Sequence, residues 1–513
     1  MRLGIDFGTT GTVVTAVTNG QYQVVQFKAG GKRLNALPGC ASLGPASLRF
    51  GTQVRADAAD DTTRLLRSVK AAVAGLSADA PVPTWADSNV TALSLVTAYL
   101  RYVREMLLTS SSLKIKADET LEVMVAVPAT ATAKQRYLTI EAFQQAGFQV
   151  LGLVNEPTAG AVEFAYHTQS ALSPRSPKRY VVVYDLGGGT FDAAGVSLEH
   201  RRFELIGAEG LGELGGNTFD AIIADAVLDS LGAMADSLTA TEHHRLLELC
   251  RLGKEALTNA SRQIHVELNG LLGAHKCSLD LQPIADAAEP AIAQSLEKMD
   301  ALFAALRAHG IDPDNARELG AVYLVGGSVR FPPVQRQLRA RYGRKVQLAP
   351  HSQASTAIGL AIAADPDAGI FVHEAPTRHF GVWRESEDGH EKVFDRLIER
   401  NASAGPGGAH IERHYRPTHA VGHLRFAECS ELDPMQQPAG QVTPWQSVYF
   451  PYDPALASLG EAELATHFNT RAPVVMDEDI TEVYDYLESG VVRVMICNRT
   501  RGYERRYELN LRG

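Results

Sequence analysis

A strand that ends in Asp, a Gly/Thr-rich turn and a second strand occur twice in this chain, and that duplication constrains the fold more than any other feature. The first copy reads Leu3-Gly4-Ile5-Asp6, then Phe7-Gly8-Thr9-Thr10-Gly11, then the β-branched run Thr12 to Val17. Asn19-Gly20, a strong short-range hairpin signal, returns the chain through Tyr22 to Phe27. The second copy reads Tyr180-Val181-Val182-Val183-Tyr184-Asp185, then Leu186-Gly187-Gly188-Gly189-Thr190, then Phe191 to Val196, with Phe203 to Gly207 after a short loop. The two Asp residues lie 179 positions apart (185 − 6), too far for a solenoid repeat. The pattern predicts two similar lobes, each opening on a strand, a turn and an antiparallel strand.

Helical signals fill the rest of each lobe. Leu93, Val96, Leu100, Val103 and Leu107 keep helical spacing over residues 92–108. Thr132 is placed to cap a helix running to about Ala146, with Gly147 as its stop. Val150 to Val154 reads as a strand, ending at Asn155-Glu156-Pro157-Thr158. Further helices are expected over Thr241 to Asn259, Pro290 to His309 and Pro332 to Tyr342, with a buried strand at Ala321 to Val325. Strands alternating with helices to about Ala364 predict α/β architecture. Asp365-Pro366-Asp367-Ala368-Gly369 is a breaker cluster, beyond which short strands dominate. In the last of them, Tyr503, Tyr507, Leu509 and Leu511 share one face and Glu504, Arg506, Glu508 and Asn510 the other. Residues 1–364 are therefore read as a two-lobed α/β domain, 365–379 as a linker and 380–513 as a mostly β domain.

Composition excludes several function classes. The formal net charge is −10, with 49 Lys and Arg against 59 Asp and Glu, which repels nucleic acid and anionic membranes. No apolar run approaches the ~18 residues that cross a bilayer, and Asp6 stands where a signal peptide needs its apolar core. Cys40, Cys250, Cys277, Cys429 and Cys497 are odd in number and scattered, which reads as reduced thiols in a cytoplasmic protein.

The paired turns carry the chemistry. Backbone N–H groups approach phosphate oxygens closely only where no Cβ intervenes, and Thr hydroxyls add donors. Two such turns facing each other would grip a phosphate chain from both sides. No P-loop is present, since Gly31-Lys32 precedes Arg33 and Gly253-Lys254 precedes Glu255. A dinucleotide fingerprint is excluded too, because a strand, not a helix, follows each turn. Asp6 and Asp185 before the turns, with Asp192 seven residues after Asp185, read as carboxylates for Mg²⁺ and its waters; singly, each could equally be a turn residue.

Ile5-Asp6-Phe7-Gly8-Thr9-Thr10, Asp185 to Asp192, Asn155-Glu156-Pro157-Thr158-Ala159-Gly160-Ala161 and Leu324-Val325-Gly326-Gly327-Ser328-Val329-Arg330 resemble the phosphate, connecting and adenosine motifs of the seventy-kilodalton heat-shock chaperone family. Leu214-Gly215-Gly216 with Phe219-Asp220 also matches. The resemblance implies an actin-like ATPase fold of two lobes with ATP and Mg²⁺ in the cleft. It implies that Gly8, Thr9, Thr10, Gly187, Gly188, Gly189, Gly215 and Gly216 lie at the nucleotide, with Lys254, Gly326, Gly327, Ser328 and Arg330 toward the adenosine. Asp6 and Asp185 would order the Mg²⁺ waters, and Glu156, Thr190 and Asp192 would complete the hydrolytic site. Lys70 matches the lysine that positions the attacking water, against the competing reading of an exposed helix lysine.

Other segments depart from the family's pattern. Arg251 stands where the family usually has an acid on the helix lining the adenine site, although Lys254 is retained. His351-Ser352-Gln353-Ala354 lacks the family's Asn-Pro-Asp, and Ile370 to Pro376 aligns with the interdomain linker but has only three apolar residues before His373. Residues 397–401 resemble an early strand of the family's peptide-binding β-sandwich, and residues 486–492 resemble its late hairpin. Val421 is the candidate pocket residue, or else a plain core valine, and no counterpart of the helical lid is expected. The resemblance implies an ATP-dependent chaperone acting on unfolded or extended peptides, with J-domain and nucleotide-exchange co-chaperones as partners. A nucleotide-switched binding module for one dedicated protein partner is the alternative, and a small-molecule kinase on the same fold a third class.

Overall fold

The computed structural model describes the whole chain except residues 45–47, 55–63, 117, 169–175, 200–201, 233–237, 374–375, 377, 387–390, 401–408, 469–476, 487–491 and 510–513. Asn510 and Leu511 of the last expected strand, residues 487–491 of the expected late hairpin and Asn401 of the expected early strand lie outside the described residues. The chain divides into two compact units. Met1–Ala74, Pro81–Thr130 and Ile140–His373 make the first; Gly75–Ala80, Ala131–Thr139 and Glu374–Gly513 make the second.

The first unit opens with β1 (Arg2–Phe7), β2 (Gly11–Thr18) and β3 (Gln21–Val24). Asn19 and Gly20 join the last two with positive φ at both positions, 50° and 72°, which matches the right-handed twist of the flanking strands. Helix α1 (Ala92–Ser110) is held at its start by Thr91, whose hydroxyl accepts the Ser94 N–H while Ser94 Oγ accepts the Thr91 N–H. Its stripe of Leu93, Val96, Leu100, Val103 and Leu107 is buried, as the spacing predicts. Strand β4 (Glu122–Val127) leads to α2 (Ala133–Gln145), whose residues up to Thr139 count with the second unit and where Thr132 and Gln135 cap each other reciprocally, and then to β5 (Gln149–Asn155). The sheet runs β5-β4-β1-β2-β3, parallel across β5, β4 and β1 and antiparallel thereafter.

Helix α3 (Glu156–His167) follows β5 without a loop. The chain continues through β6 (Tyr180–Leu186), β7 (Phe191–Ser197), β8 (Arg202–Leu211), α4 (Gly216–Leu231), α5 (Ala240–Glu255) and α6 (Leu281–Ala308). Then come β9 (Leu319–Val325), α7 (Pro332–Tyr342), β10 (Val346–Leu348), α8 (Ser355–Ala364) and β11 (Phe371–His373). The second sheet is ordered β10-β9-β6-β7-β8-β11. Its first five strands repeat the order and directions of the first sheet, so the duplication extends from the hairpin to the sheet.

Two helices differ from expectation. α5 stops at Glu255 rather than Asn259. α6 begins nine residues before Pro290, which lies inside it. An interior proline forfeits one backbone hydrogen bond and costs about 3 kcal/mol. Ile284, Ala288, Ile292, Met299, Leu302 and Leu306 are all buried along α6, and that apolar stripe carries the helix through the break. Helix α8 lies against β1 and crosses α3, both at positions without a Cβ. One on Gly4 would fall 2.3 Å from Ala357 O, and one on Gly359 1.8 Å from Ala159 O.

The second unit is built on two antiparallel sheets. β12 (His379–Ser386), β13 (Glu391–Ile398), β15 (Val421–Leu432) and β16 (Pro438–Pro451) pair in the order β13-β12-β15-β16, where β14 (Ala409–Tyr415) belongs to the other sheet. After a short helix, α9 (Glu461–Phe468), come β17 (Ile480–Tyr486), β18 (Val492–Asn498) and β19 (Tyr503–Glu508), ordered β14-β17-β18-β19. Phe380, Val382, Leu424, Phe426 and Val448 of one sheet share a core with Tyr484, Val492, Val494 and Ile496 of the other. Glu482 is fully buried there, neutralised by Arg384 Nη2 at 2.6 Å and accepting the hydroxyls of Tyr415 and Tyr484, each at 2.5 Å. The unit is mostly β, as composition predicts, with α9 as the helix that composition did not announce.

Candidate functional site

The two hairpins are built to one plan. Asp6 pairs with Val13 across β1 and β2, and Asp185 with Asp192 across β6 and β7. In the first turn Gly8 N–H donates to Gly11 O at 3.1 Å; in the second Gly187 N–H donates to Thr190 O at 3.0 Å. Val13 thus holds the position of Asp192, and only the second hairpin carries two carboxylates. The turns meet tip to tip. A Cβ on Gly188 would lie 2.0 Å from Thr10 Oγ1, and one on Gly189 2.8 Å from Thr9 Cγ2, so the approach depends on glycine.

The wall behind the second turn is tied together by its own backbone. Gly216 N–H donates to Gly187 O and Asn217 N–H to Gly188 O, at 3.0 and 2.7 Å. A Cβ on Gly215 would fall 2.6 Å from Gly189 N. Ser328 Oγ donates to Gly187 O at 2.8 Å, and Lys254 Nζ reaches Gly216 O and Asp220 Oδ1, each at 2.7 Å. Gly326, at φ 88°, packs under Leu186 O and the Asp185 carboxyl, while a Cβ on Gly327 would meet only the Gln353 side chain, at 3.6 Å. Arg330 Nε donates to Ser352 Oγ at 3.0 Å. Gly8, Thr9, Thr10, Gly187–Thr190, Gly215, Gly216, Lys254, Gly326 and Ser328 therefore cluster around the paired turns.

Lys70 arrives by a relay of backbone bonds. Gly39 N–H donates to Thr10 O, Val69 N–H donates to Gly39 O, and Ser68 caps the single helical turn Val69–Ala72. The ammonium then lies 2.6 Å from Oε1 of Glu156, the first residue of α3. Burial disfavours its charge, but Glu156, Asp6 and Asp192 outweigh that and hold Lys70 above its usual range. Burial, then the Glu156 charge, push Asp6 up to about 7 against the pull of Lys70. Asp192 rises to about 7 for the same reasons, although Thr130 Oγ1 donates to it at 3.3 Å. Asp185 is raised well above the carboxylate range by burial and by Glu156, Asp192 and Asp6.

Four carboxylates against one ammonium leave a deficit of positive charge, and a divalent cation fits it. Among the described residues no three His, Cys, Asp or Glu are arranged to hold a bare ion. The carboxylates suit an ion that keeps its waters, as Mg²⁺ does. One consequence is a pH dependence without Mg²⁺ or nucleotide. Asp6 and Asp192 titrate near 3.8 when unfolded and near 7 when folded, so folding takes up protons between those values. Their contribution to stability is complete below the unfolded value and lost as pH rises through about 7. The metal-free chain should unfold at lower temperature at pH 8 than at pH 6, and Asp192→Asn should shrink that difference. Thermal unfolding in EDTA at both pH values checks it.

Arg251 is engaged by its own helix, with Nη2 at 2.6 Å from Glu248 and Nη1 at 2.5 Å from Glu255. Two contributors were missed as site residues. Asp220, buried between Lys254 and Arg67, fixes the lysine that holds Gly216, and Phe219-Asp220 was its visible signal. Thr130 steadies Asp192 from 62 residues away, and nothing in its local sequence marks it.

The family model for Hsp70 protein matches residues 2–375. The chain is 30% identical over 384 residues to the chaperone protein HscA homolog of Azotobacter vinelandii, covering 72% of this chain and 58% of that protein. It is 31% identical over 422 residues to the chaperone protein HscA of Salmonella paratyphi B and of Klebsiella pneumoniae, covering 79% of this chain and 64% of each relative. The matched part spans about three fifths of the length of these relatives. With the family model covering well over half of the chain, across both hairpins and the wall behind them, the chain belongs to the Hsp70 family.

Proposed function

We propose that the chain is an ATP-dependent, chaperone-like ATPase in which Mg²⁺-ATP in the cleft of a two-lobed actin-like domain, residues 1–364, controls peptide binding by the β-sandwich of residues 380–513. The observation that carries this reading is the tip-to-tip approach of two glycine-dependent turns beside the Lys70–Glu156 pair. Thr9, Thr10 and Gly187 to Gly189 offer backbone N–H and hydroxyl donors to phosphate oxygens from both sides. Lys70 and Glu156 hold and orient a water for in-line attack, which needs no covalent intermediate. Asp192, poised near neutrality, can accept the proton of that water. Asp6 and Asp185 would hold the hydrated Mg²⁺, which when bound neutralises phosphate charge. Lys254, Gly326, Gly327, Ser328 and Arg330 face the nucleoside side. Nucleotide biases the domain arrangement only through differential binding to two states, coupled through 365–379.

J-domain and nucleotide-exchange partners belong to the same reading. So does a cytoplasmic setting, which the five free cysteines suit; no helix among the described residues is long and apolar enough to cross a membrane. The test is steady-state ATP hydrolysis by the purified chain with and without an unfolded peptide, beside protection from protease by ATP. Peptide-stimulated hydrolysis and ATP-dependent protection are the expected results. Nucleotide binding without hydrolysis would leave the second reading, a nucleotide-switched module for one dedicated partner. The ion pairs that occupy Arg251 favour it, because that side chain is committed to its own helix. A pull-down returning one stoichiometric protein, rather than many unfolded clients, would select it.

A further inference from the structure

Glu163 is a buried acid that takes no part in the cleft. It stands seven residues after Glu156 (163 − 156) on α3, two turns further along the same face and about 10 Å away. Its side chain is fully buried. Tyr323 Oη, from β9, donates to Oε2 at 2.6 Å, and Phe164 meets the Tyr323 ring edge-on at 5.0 Å. One turn further along α3, the half-exposed ring of His167 places Nε2 3.1 Å from Oε1. Ser355 of α8 and His351 just before that helix complete the polar surroundings. Val183 of β6 and Val325 of β9, which pack under Gly160 of α3, bring no charge.

A carboxylate is a costly way to join three elements. Apolar side chains of similar volume would hold them together at least as well. What they would not supply is direction. A hydrogen bond of 2.6 Å fixes where α3 sits along β9, whereas two apolar surfaces can slide. That position bears on the site at both ends. α3 begins with Glu156, 2.6 Å from Lys70, and β9 runs into Gly326 beneath the Asp185 carboxyl. A packed interior transmits a small shift rather than absorbing it. Burial raises Glu163 above the ordinary carboxylate range, against the opposing pull of Tyr323, His167, Ser355 and His351. Protonation would turn the charge-assisted bond from Tyr323 into a neutral one of about half the strength, and would end the pairing with His167.

We propose that Glu163 is a positioning residue for hydrolysis: ionised, it clamps α3 to β9 through Tyr323 and thereby holds Glu156 at the reacting water. The inference rests on the ATPase reading above and adds a residue to it. The test is steady-state ATP hydrolysis by the full chain as a function of pH, beside thermal unfolding. Glu163→Leu with Tyr323→Phe removes both polar partners and keeps their bulk, so the double variant should unfold no earlier than wild type. Its kcat should nonetheless fall about tenfold, within the range of a small misplacement imposed from far away, while KM for ATP changes much less. Tyr323→Phe alone removes a donor that holds Glu163 down, so the acid limb of its kcat profile should move toward neutral pH. His167→Asn should move that limb the same way. Asp6 and Asp192 titrate as well, but neither single substitution alters their partners. A double variant as stable and as fast as wild type would overturn the clamp and leave the ATPase standing. Absence of hydrolysis by wild type would overturn both together. If the double variant does not fold, the single variants decide: shifted acid limbs support the clamp and unmoved ones overturn it.

Discussion

Lys70→Ala is expected to lower single-turnover ATP hydrolysis by about 10²–10³-fold, the usual consequence of removing one preorganised donor from a reacting centre, while nucleotide affinity changes far less. Lys70 Nζ lies 2.6 Å from Glu156 and is the cation whose charge opposes burial at Asp6, Asp185 and Asp192. Without it four buried carboxylates face one another, and Asp6, Asp185 and Asp192 are driven further toward their protonated forms. The water that Glu156 would orient then loses its second partner. Lys70→Arg should not restore the rate, because a planar guanidinium places its donors differently from a compact ammonium. Rapid-quench hydrolysis beside equilibrium binding of a fluorescent nucleotide separates the two effects. An unchanged rate for Lys70→Ala would refute the role and return Lys70 to a plain ion-pair residue.

Gly359→Val should cost about 3 kcal/mol or more of stability, at or beyond the upper end of ordinary overpacking, and should cripple the cleft as well. The added Cβ would lie 1.8 Å from Ala159 O and 2.5 Å from its carbonyl carbon, so relief requires α3 and α8 to separate as backbones. Flexible side chains can swing aside; two packed helices cannot. Ala159 stands three residues after Glu156 on α3, so any shift is carried straight to the Lys70–Glu156 pair. Gly212→Ala is the control, since nothing lies within 4 Å of its Cβ position and its φ is not positive. Thermal and urea unfolding of the two variants should differ sharply. Similar stabilities would show that α3 and α8 can part cheaply.

Much of the fold was legible because its signals are local. Asp6 and Asp185 before their turns, the Asn19-Gly20 hairpin and the reciprocal Thr132–Gln135 cap all act within a few residues. Pro290 misled for the opposite reason: its local preference is to start a helix, and a buried stripe before it overrode that preference. α9 was missed because eight residues with one buried leucine carry almost no periodicity. Thr130 and Asp220 act through contacts made across long stretches of chain, where neighbouring residues carry no signal.

The sequence by itself determined the repeated strand–turn–strand plan, the positions of the carboxylates and the glycines, and the change to β structure after Gly369. Those are properties of backbone preference and residue type, which act at short range. Only the tertiary structure decided that Gly188 meets Thr10, that Lys70 reaches Glu156, and that Phe468 of α9 meets His423 of β15. Each depends on packing between segments far apart in the chain, where burial raises the cost of unpaired charge and a single Cβ sets how closely two backbones approach.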